Sequence, residues 1–156
     1  MKNYSFLLSL IFTIIFTFPS ISEIKRGEWE FIKDTNYRCF IQSAPIKTDI
    51  PKGKSRGKHY IVVYRMNKNP EAIIQITAGY NYKSADSIKV KIDNIDYDFY
   101  SDADNAWTKE DKKVIFAMKK GLELVTTGIS SNNTKVIDTY TLKGFTAAFN
   151  QLINDC

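Results

Sequence analysis

From Ser87 to Asp93 the chain alternates without a break, with Ile88, Val90 and Ile92 on one side and Ser87, Lys89, Lys91 and Asp93 on the other. A period of two marks a strand with one buried face. The same reading extends to Glu28–Ile32, Tyr37–Ser43, His59–Met66, Ala72–Gly79, Tyr97–Tyr100, Leu122–Ser130 and Val136–Leu142, short runs separated by turn residues. Asp93-Asn94 reads as the turn into the Tyr97 strand, and Ser131-Asn132-Asn133-Thr134 as a hairpin loop. The His59 run is apolar on both faces, Tyr60/Val62/Tyr64 and Ile61/Val63, as a covered central strand would be. Many short strands at close intervals predict a mainly β, antiparallel sandwich-like single domain.

Two segments break the pattern with helical spacing. Thr108 is placed to cap a helix over Lys109–Lys120, with Glu110 and Asp111 in its first turn, two lysines in its last and Gly121 just beyond. After Gly144, the residues Phe145, Ala148, Phe149, Leu152 and Ile153 form one apolar stripe that predicts a C-terminal helix packed on the sheet. Cys156 continues that stripe three turns beyond Phe145. At 156 residues, 44% hydrophobic and 13% aromatic, the chain suits one domain with its own core, which excludes a disordered polypeptide.

The N-terminus reads as an export signal. Met1-Lys2 precedes an apolar run from Phe6 to Phe18, relieved only by Ser9, Thr13 and Thr17, and Pro19-Ser20-Ile21-Ser22 supplies small residues at peptidase spacing. The run is shorter than the roughly 18 apolar residues a membrane span needs. The expectation is a signal peptide over residues 1–22 and a mature domain over 23–156, without a transmembrane segment. No cysteine follows until Cys39, so there is no lipobox.

An exported chain meets oxidising conditions, and that makes its two cysteines informative. Tyr37, Cys39 and Ile41 share one strand face, so Cys39 points at the core as Cys156 does from the last helix. This facing favours a Cys39–Cys156 disulfide over two free thiols or a bond to another molecule. Closing a loop of more than a hundred residues is worth about 4–5 kcal/mol in the chain-entropy model. It would also leave no thiol for a cysteine nucleophile.

The formal net charge of +5 is not spread over the chain. Lys47, Lys52, Lys54, Arg56 and Lys58 stand against the single Asp49 between positions 47 and 58, and account for the net charge of the mature domain. A nucleic-acid-coating protein would be basic more generally, so no nucleic acid is expected. Pro51, Gly53, Ser55 and Gly57 make this segment a loop. It is the best candidate contact surface for an anionic surface, a glycan, or an acidic envelope or host protein.

Catalytic constellations are thin. His59 is the only histidine and begins an apolar strand, and no nucleophile-elbow sequence accompanies it. Two cysteines and one histidine cannot build a multi-cysteine zinc site. Asp93, Asp96, Asp98, Asp102 and Asp104 cluster in sequence, but Ala106 and Trp107 stand where an EF-hand would need a ligand and a glycine. Asp96 and Asp98 read as a solvated strand edge. No catalytic residue, metal or cofactor is expected; a hydrolase using the Asp93–Asp104 carboxylates stands as the enzymatic alternative.

Asp138-Thr139-Tyr140-Thr141-Leu142-Lys143-Gly144-Phe145-Thr146-Ala147-Ala148 resembles the closing signature of the invasion-associated locus B family, exported proteins of Gram-negative bacteria. Gly27-Glu28-Trp29, Arg38-Cys39-Phe40-Ile41-Gln42, Ala106-Trp107 and Ala117-Met118-Lys119-Lys120-Gly121 resemble it in the same order. Ser131-Asn132-Asn133 departs from it, standing where the family pattern has Arg-Gly. The resemblance implies a virulence-associated protein in the periplasm, at the cell envelope or secreted, of undefined molecular activity. Trp29, Trp107, Gly121, Asp138, Tyr140, Lys143, Gly144 and Phe145 have a structural reading as fold-specifying positions, with Trp107 a core anchor and Gly144 allowing a sharp strand-to-helix turn. The combined expectation is a non-catalytic binding protein of the envelope, with a surface-exposed host-cell invasion factor as the alternative.

Overall fold

A computed structural model describes residues 27–33, 39–66 and 71–156; the signal segment 1–22 lies outside them. The strands are β1 (Glu30–Lys33), β2 (Cys39–Ser43), β3 (Lys47–Asp49), β4 (Tyr60–Arg65), β5 (Ala72–Thr77), β6 (Ile88–Ile92), β7 (Ile95–Tyr97), β8 (Tyr100–Asp102), β9 (Asn105–Trp107), β10 (Glu123–Ile129) and β11 (Lys135–Thr141). The helices are α1 (Asp111–Lys120), between β9 and β10, and α2 (Phe145–Asp155), after β11. Two antiparallel sheets pack together, one in the order β1-β2-β4-β5-β9-β8 and the other β3-β11-β10-β6-β7. The mainly β sandwich with a C-terminal helix is the expected architecture.

Alternation explains the core. Ile41, Val63 and Ile74 stand side by side across three strands, as do Ile61, Ile76 and Ala106, and all are at most 2% exposed. The facing sheet contributes Ile88, Val90, Ile92, Leu124 and Tyr140, while the helices add Val114, Met118, Phe145 and Leu152 to the same cluster. β4 is central, but its second apolar face (Tyr60, Val62, Tyr64) is half-buried and outside the core cluster. The expectation of cover on both sides therefore fails for that face.

The C-terminal helix is tied down at its far end. Cys39 and Cys156 form a disulfide with their Cα atoms 5.9 Å apart. Lys33 Nζ donates to the Asp155 carbonyl at 2.9 Å and Arg65 Nη1 to the Ile153 carbonyl at 3.2 Å. α2 has no basic residue in its own last turn, so β1 and β4 supply the cations that its carbonyl end attracts. Phe145, Ala148, Phe149 and Leu152 are buried as the stripe requires, but Ile153 is 40% exposed and Cys156 is exposed as a residue. The stripe drifts toward solvent in its last turn, and Cys39 alone of the bonded pair is buried.

Several details differ from expectation. The expected Tyr97–Tyr100 strand is divided, Tyr97 ending β7 in one sheet and Tyr100 beginning β8 in the other. α1 begins at Asp111 with Glu110 at its N-cap position, and Thr108 Oγ1 instead accepts the Glu110 amide before the helix, at 3.1 Å. The Asp111 carboxylate is diverted to the β5 edge, accepting the Ile74 amide at 2.8 Å. Trp107 is half-buried beside Gln75 and Tyr100, outside the core, and Ala106 fills the inward position of β9.

Candidate binding site at the basic loop

The basic segment is only partly a loop. Its first residues form β3, an edge strand paired with β11, with Thr48 opposite Asp138. Lys47, Lys52, Lys54 and Lys58 are exposed. Arg56 is not: its side chain is 4% exposed and lies against Asp138, itself 6% exposed. Arg56 Nη1 donates to Asp138 Oδ2 at 2.7 Å, Nη2 to Oδ1, and the two nitrogens also reach the Ala78 carbonyl and Thr48 Oγ1. Thr48 Oγ1 donates to Asp138 Oδ1 at 2.7 Å. A planar fork on a carboxylate, with both terminal nitrogens making a second hydrogen bond, is what makes a buried charge pair tolerable. Arg56 is thus a clamp on the segment, and it also forms part of the wall of the cleft beside Lys54.

The clamp sits among tyrosines. Burial pushes the Tyr80 hydroxyl up to about 12, with the Asp138 charge adding to it and Arg56 opposing it. Tyr82 and Tyr140 are raised as well, again chiefly by burial. Tyr80 and Tyr82 meet edge to face at 5.3 Å and cross β10 at Gly128, where any Cβ would overlap the Tyr80 hydroxyl. The loop is held on its other side by Gly57, whose amide donates to the Gly79 carbonyl at 2.8 Å. Gly79 has φ +74°, and a Cβ there would strike the Gly57 carbonyl, so this crossing requires glycine.

Clamped at Arg56 and Gly57, the segment projects Lys52, Lys54 and Lys58 at one end of the sandwich. A cleft of about 180 Å³ separates Lys54 and Ser55 from Asn81, Ser131 and Asn132. A second, of about 460 Å³, opens between Lys58, Tyr60, Asn81 and Asp104. Both are lined by hydrogen-bonding groups with a lysine at the edge, an arrangement that suits an anionic or polyhydroxylated ligand. The hairpin loop at 131–134 could not be assigned to this site from sequence, because nothing local ties it to the basic segment.

The other candidate positions do not converge. His59 Nδ1 lies 2.9 Å from the Gly57 carbonyl, a local bond. Asp93 accepts the amides of Leu122 and Glu123, Asp96 faces Lys91 at 3.8 Å, and Asp104 accepts from Asn105. Asp96 lies on β7 and Asp102 on β8, strands of different sheets, and among the described residues no group of three or more His, Cys, Asp or Glu side chains is placed to hold a metal ion.

Of the signature residues, Trp29, Gly144 and Phe145 meet at the Thr141 end of β11, whereas Trp107 lies apart on β9 and Asp138 belongs to the clamp. Trp29 Nε1 donates to the Thr141 carbonyl at 2.9 Å, and its ring meets Phe145 edge-on at 4.8 Å. Gly144, at φ 87°, turns the chain from β11 into α2. Gly121 packs so closely that a Cβ would overlap Ile92, and Lys143 is exposed. Asp138 and Tyr140 face inward, at 4% and 0% exposure.

Fold and site together define a disulfide-closed β-sandwich with two helices and a clamped basic edge. A family model described as invasion associated locus B (IalB) protein matches residues 32–153, and the chain belongs to that family. It is an envelope-associated family and not a known enzyme family. No curated protein and no solved structure matches the chain. The disulfide suits an extracytoplasmic protein, and no helix among the described residues is long and apolar enough to cross a membrane.

Proposed function

We propose that this chain is an exported protein of the bacterial envelope that binds an anionic partner through Lys52, Lys54 and Lys58 and carries out no chemistry on it. The observation that carries the reading is the buried Arg56–Asp138 clamp, which spends one cation of the segment on rigidity and leaves the lysines facing solvent. A preorganised cationic edge pays less ordering entropy on binding than a mobile loop. The polar cleft between Lys54 and Asn132 gives the partner hydrogen-bonding groups beside the charge. Removal of residues 1–22 on export, leaving the domain 23–156 in the periplasm of a Gram-negative cell, belongs to the same proposal.

The test is fluorescence anisotropy with two labelled anionic probes, an oligoglutamate peptide and a heparin oligosaccharide. Changing Lys52, Lys54 and Lys58 together to serine should abolish salt-dependent binding with the melting temperature nearly unchanged. Equal binding by the variant, or no binding of either probe by the wild type, contradicts the reading. A second reading, display on the cell surface for host contact, is favoured by the family's description. Protease treatment of intact cells separates them: digestion without permeabilising the outer membrane supports surface display, and protection supports the periplasm.

A further inference from the structure

Phe116 is 58% exposed on α1, a helix that buries Val114, Ile115 and Met118 instead. Residues three and four positions away are its neighbours on a helix surface. Here all four are lysines: Lys112, Lys113, Lys119 and Lys120. Lys112 pairs with Glu71 and Lys113 with Glu110, whereas Lys120 Nζ lies 4.0 Å from the Phe116 ring centroid and Lys119 Nζ 4.2 Å from that of Phe149. Just past the helix, Leu122 is 80% exposed. Its amide is held by Asp93, two residues from Ile95, which is 61% exposed.

Large apolar side chains left in water cost the fold hydrophobic stabilisation, and a protruding ring flanked by ammonium groups, as Phe116 is, has the composition of a membrane-interface anchor. A bilayer accepts a projecting ring at the headgroup–acyl boundary, while lysine stems lie along apolar surface and place their charges at the phosphates. Anionic headgroups complement Lys119 and Lys120, while Lys112 and Lys113 already face Glu71 and Glu110. We propose that the α1 end of the domain docks on an anionic phospholipid surface, with Phe116 and Leu122 inserted and Lys119 and Lys120 among the headgroup phosphates. This surface is separate from the basic loop. Leu122 immediately precedes β10, and the hairpin bordering the Lys54 cleft follows the other end of that seven-residue strand, about 23 Å away.

Cosedimentation with phosphatidylglycerol–phosphatidylcholine vesicles, against phosphatidylcholine alone, tests the proposal. The protein should bind only the anionic vesicles and be released by salt. Phe116→Ala should weaken binding about tenfold, and Lys119→Ser with Lys120→Ser by a similar factor. The Lys52/Lys54/Lys58 serine variant should retain it. Phe116→Trp should show a blue-shifted emission on the anionic vesicles. Absence of binding to them, equal binding by Phe116→Ala, loss confined to the basic-loop variant, or an unshifted Phe116→Trp emission would each overturn the proposal.

Discussion

Arg56 and Asp138 lie 82 residues apart and form a two-pronged ion pair that excludes both side chains from water. The pair joins the basic segment to the central part of β11, and so couples the candidate contact surface to the core. Removing one partner leaves the other buried and uncompensated. Asp138→Ala should cost about 3–5 kcal/mol, and Arg56→Met combined with Asp138→Leu should recover most of it. Lys52→Ser, Lys54→Ser and Lys58→Ser should each change stability by no more than about 0.5 kcal/mol. Urea denaturation midpoints check all of these; equal sensitivity of Arg56 and the lysines would remove the distinction between clamp and surface.

The Cys39–Cys156 bond spans a sequence separation of 117 residues. The chain-entropy model assigns such a closure about 4–5 kcal/mol. Cys156→Ser should lower the thermal midpoint markedly, and the wild type in reducing buffer should fall to match it. Coincident melting curves for oxidised and reduced protein would show that Lys33 and Arg65 hold the helix end without the bond.

Tyr140 is fully buried, and its hydroxyl has no hydrogen-bond partner among the described residues. An unsatisfied buried hydroxyl costs about 1–3 kcal/mol. Tyr140→Phe should therefore leave stability unchanged or raise it, as read from denaturant midpoints. A loss comparable to that of Asp138→Ala would mean that the hydroxyl is satisfied in solution.

The raised tyrosines predict an alkaline limit. Tyr80 holds its proton to about pH 12 in the folded chain, against 10.0 ordinarily. Above pH 10 the unfolded chain loses that proton while the folded chain keeps it, so stability falls as pH rises from 10 toward 12. Ultraviolet titration should show that some of the nine tyrosines ionise only with unfolding, with the alkaline loss of stability reduced in Tyr80→Phe.

The strands whose alternation runs five residues or more were legible because burial on one face writes a period of two into the sequence. Ile88–Ile92 and Lys135–Thr141 are of this kind. β3, β8 and β9 were not: each has three residues, and pairing with a distant or adjacent edge defines it more than composition does. The Cys39–Cys156 contact was legible from the inward face of Cys39 and the expected compartment, although Cys156 itself is exposed. Arg56 was not separable from its neighbouring lysines, since what buries it is a carboxylate on another strand. Trp107 misled for a related reason: a β-strand before a helix places alternate residues on opposite faces, and Ala106 takes the inner one.

Chemical-shift mapping on isotope-labelled protein most directly tests the claim that the clamped basic edge is the binding surface. Adding the oligoglutamate probe at low salt should move the amide resonances of Lys52–Lys58 and Ser131–Asn133, and salt should reverse the shifts. Perturbations confined to α1, or an unchanged spectrum with both this probe and the heparin oligosaccharide, would contradict it.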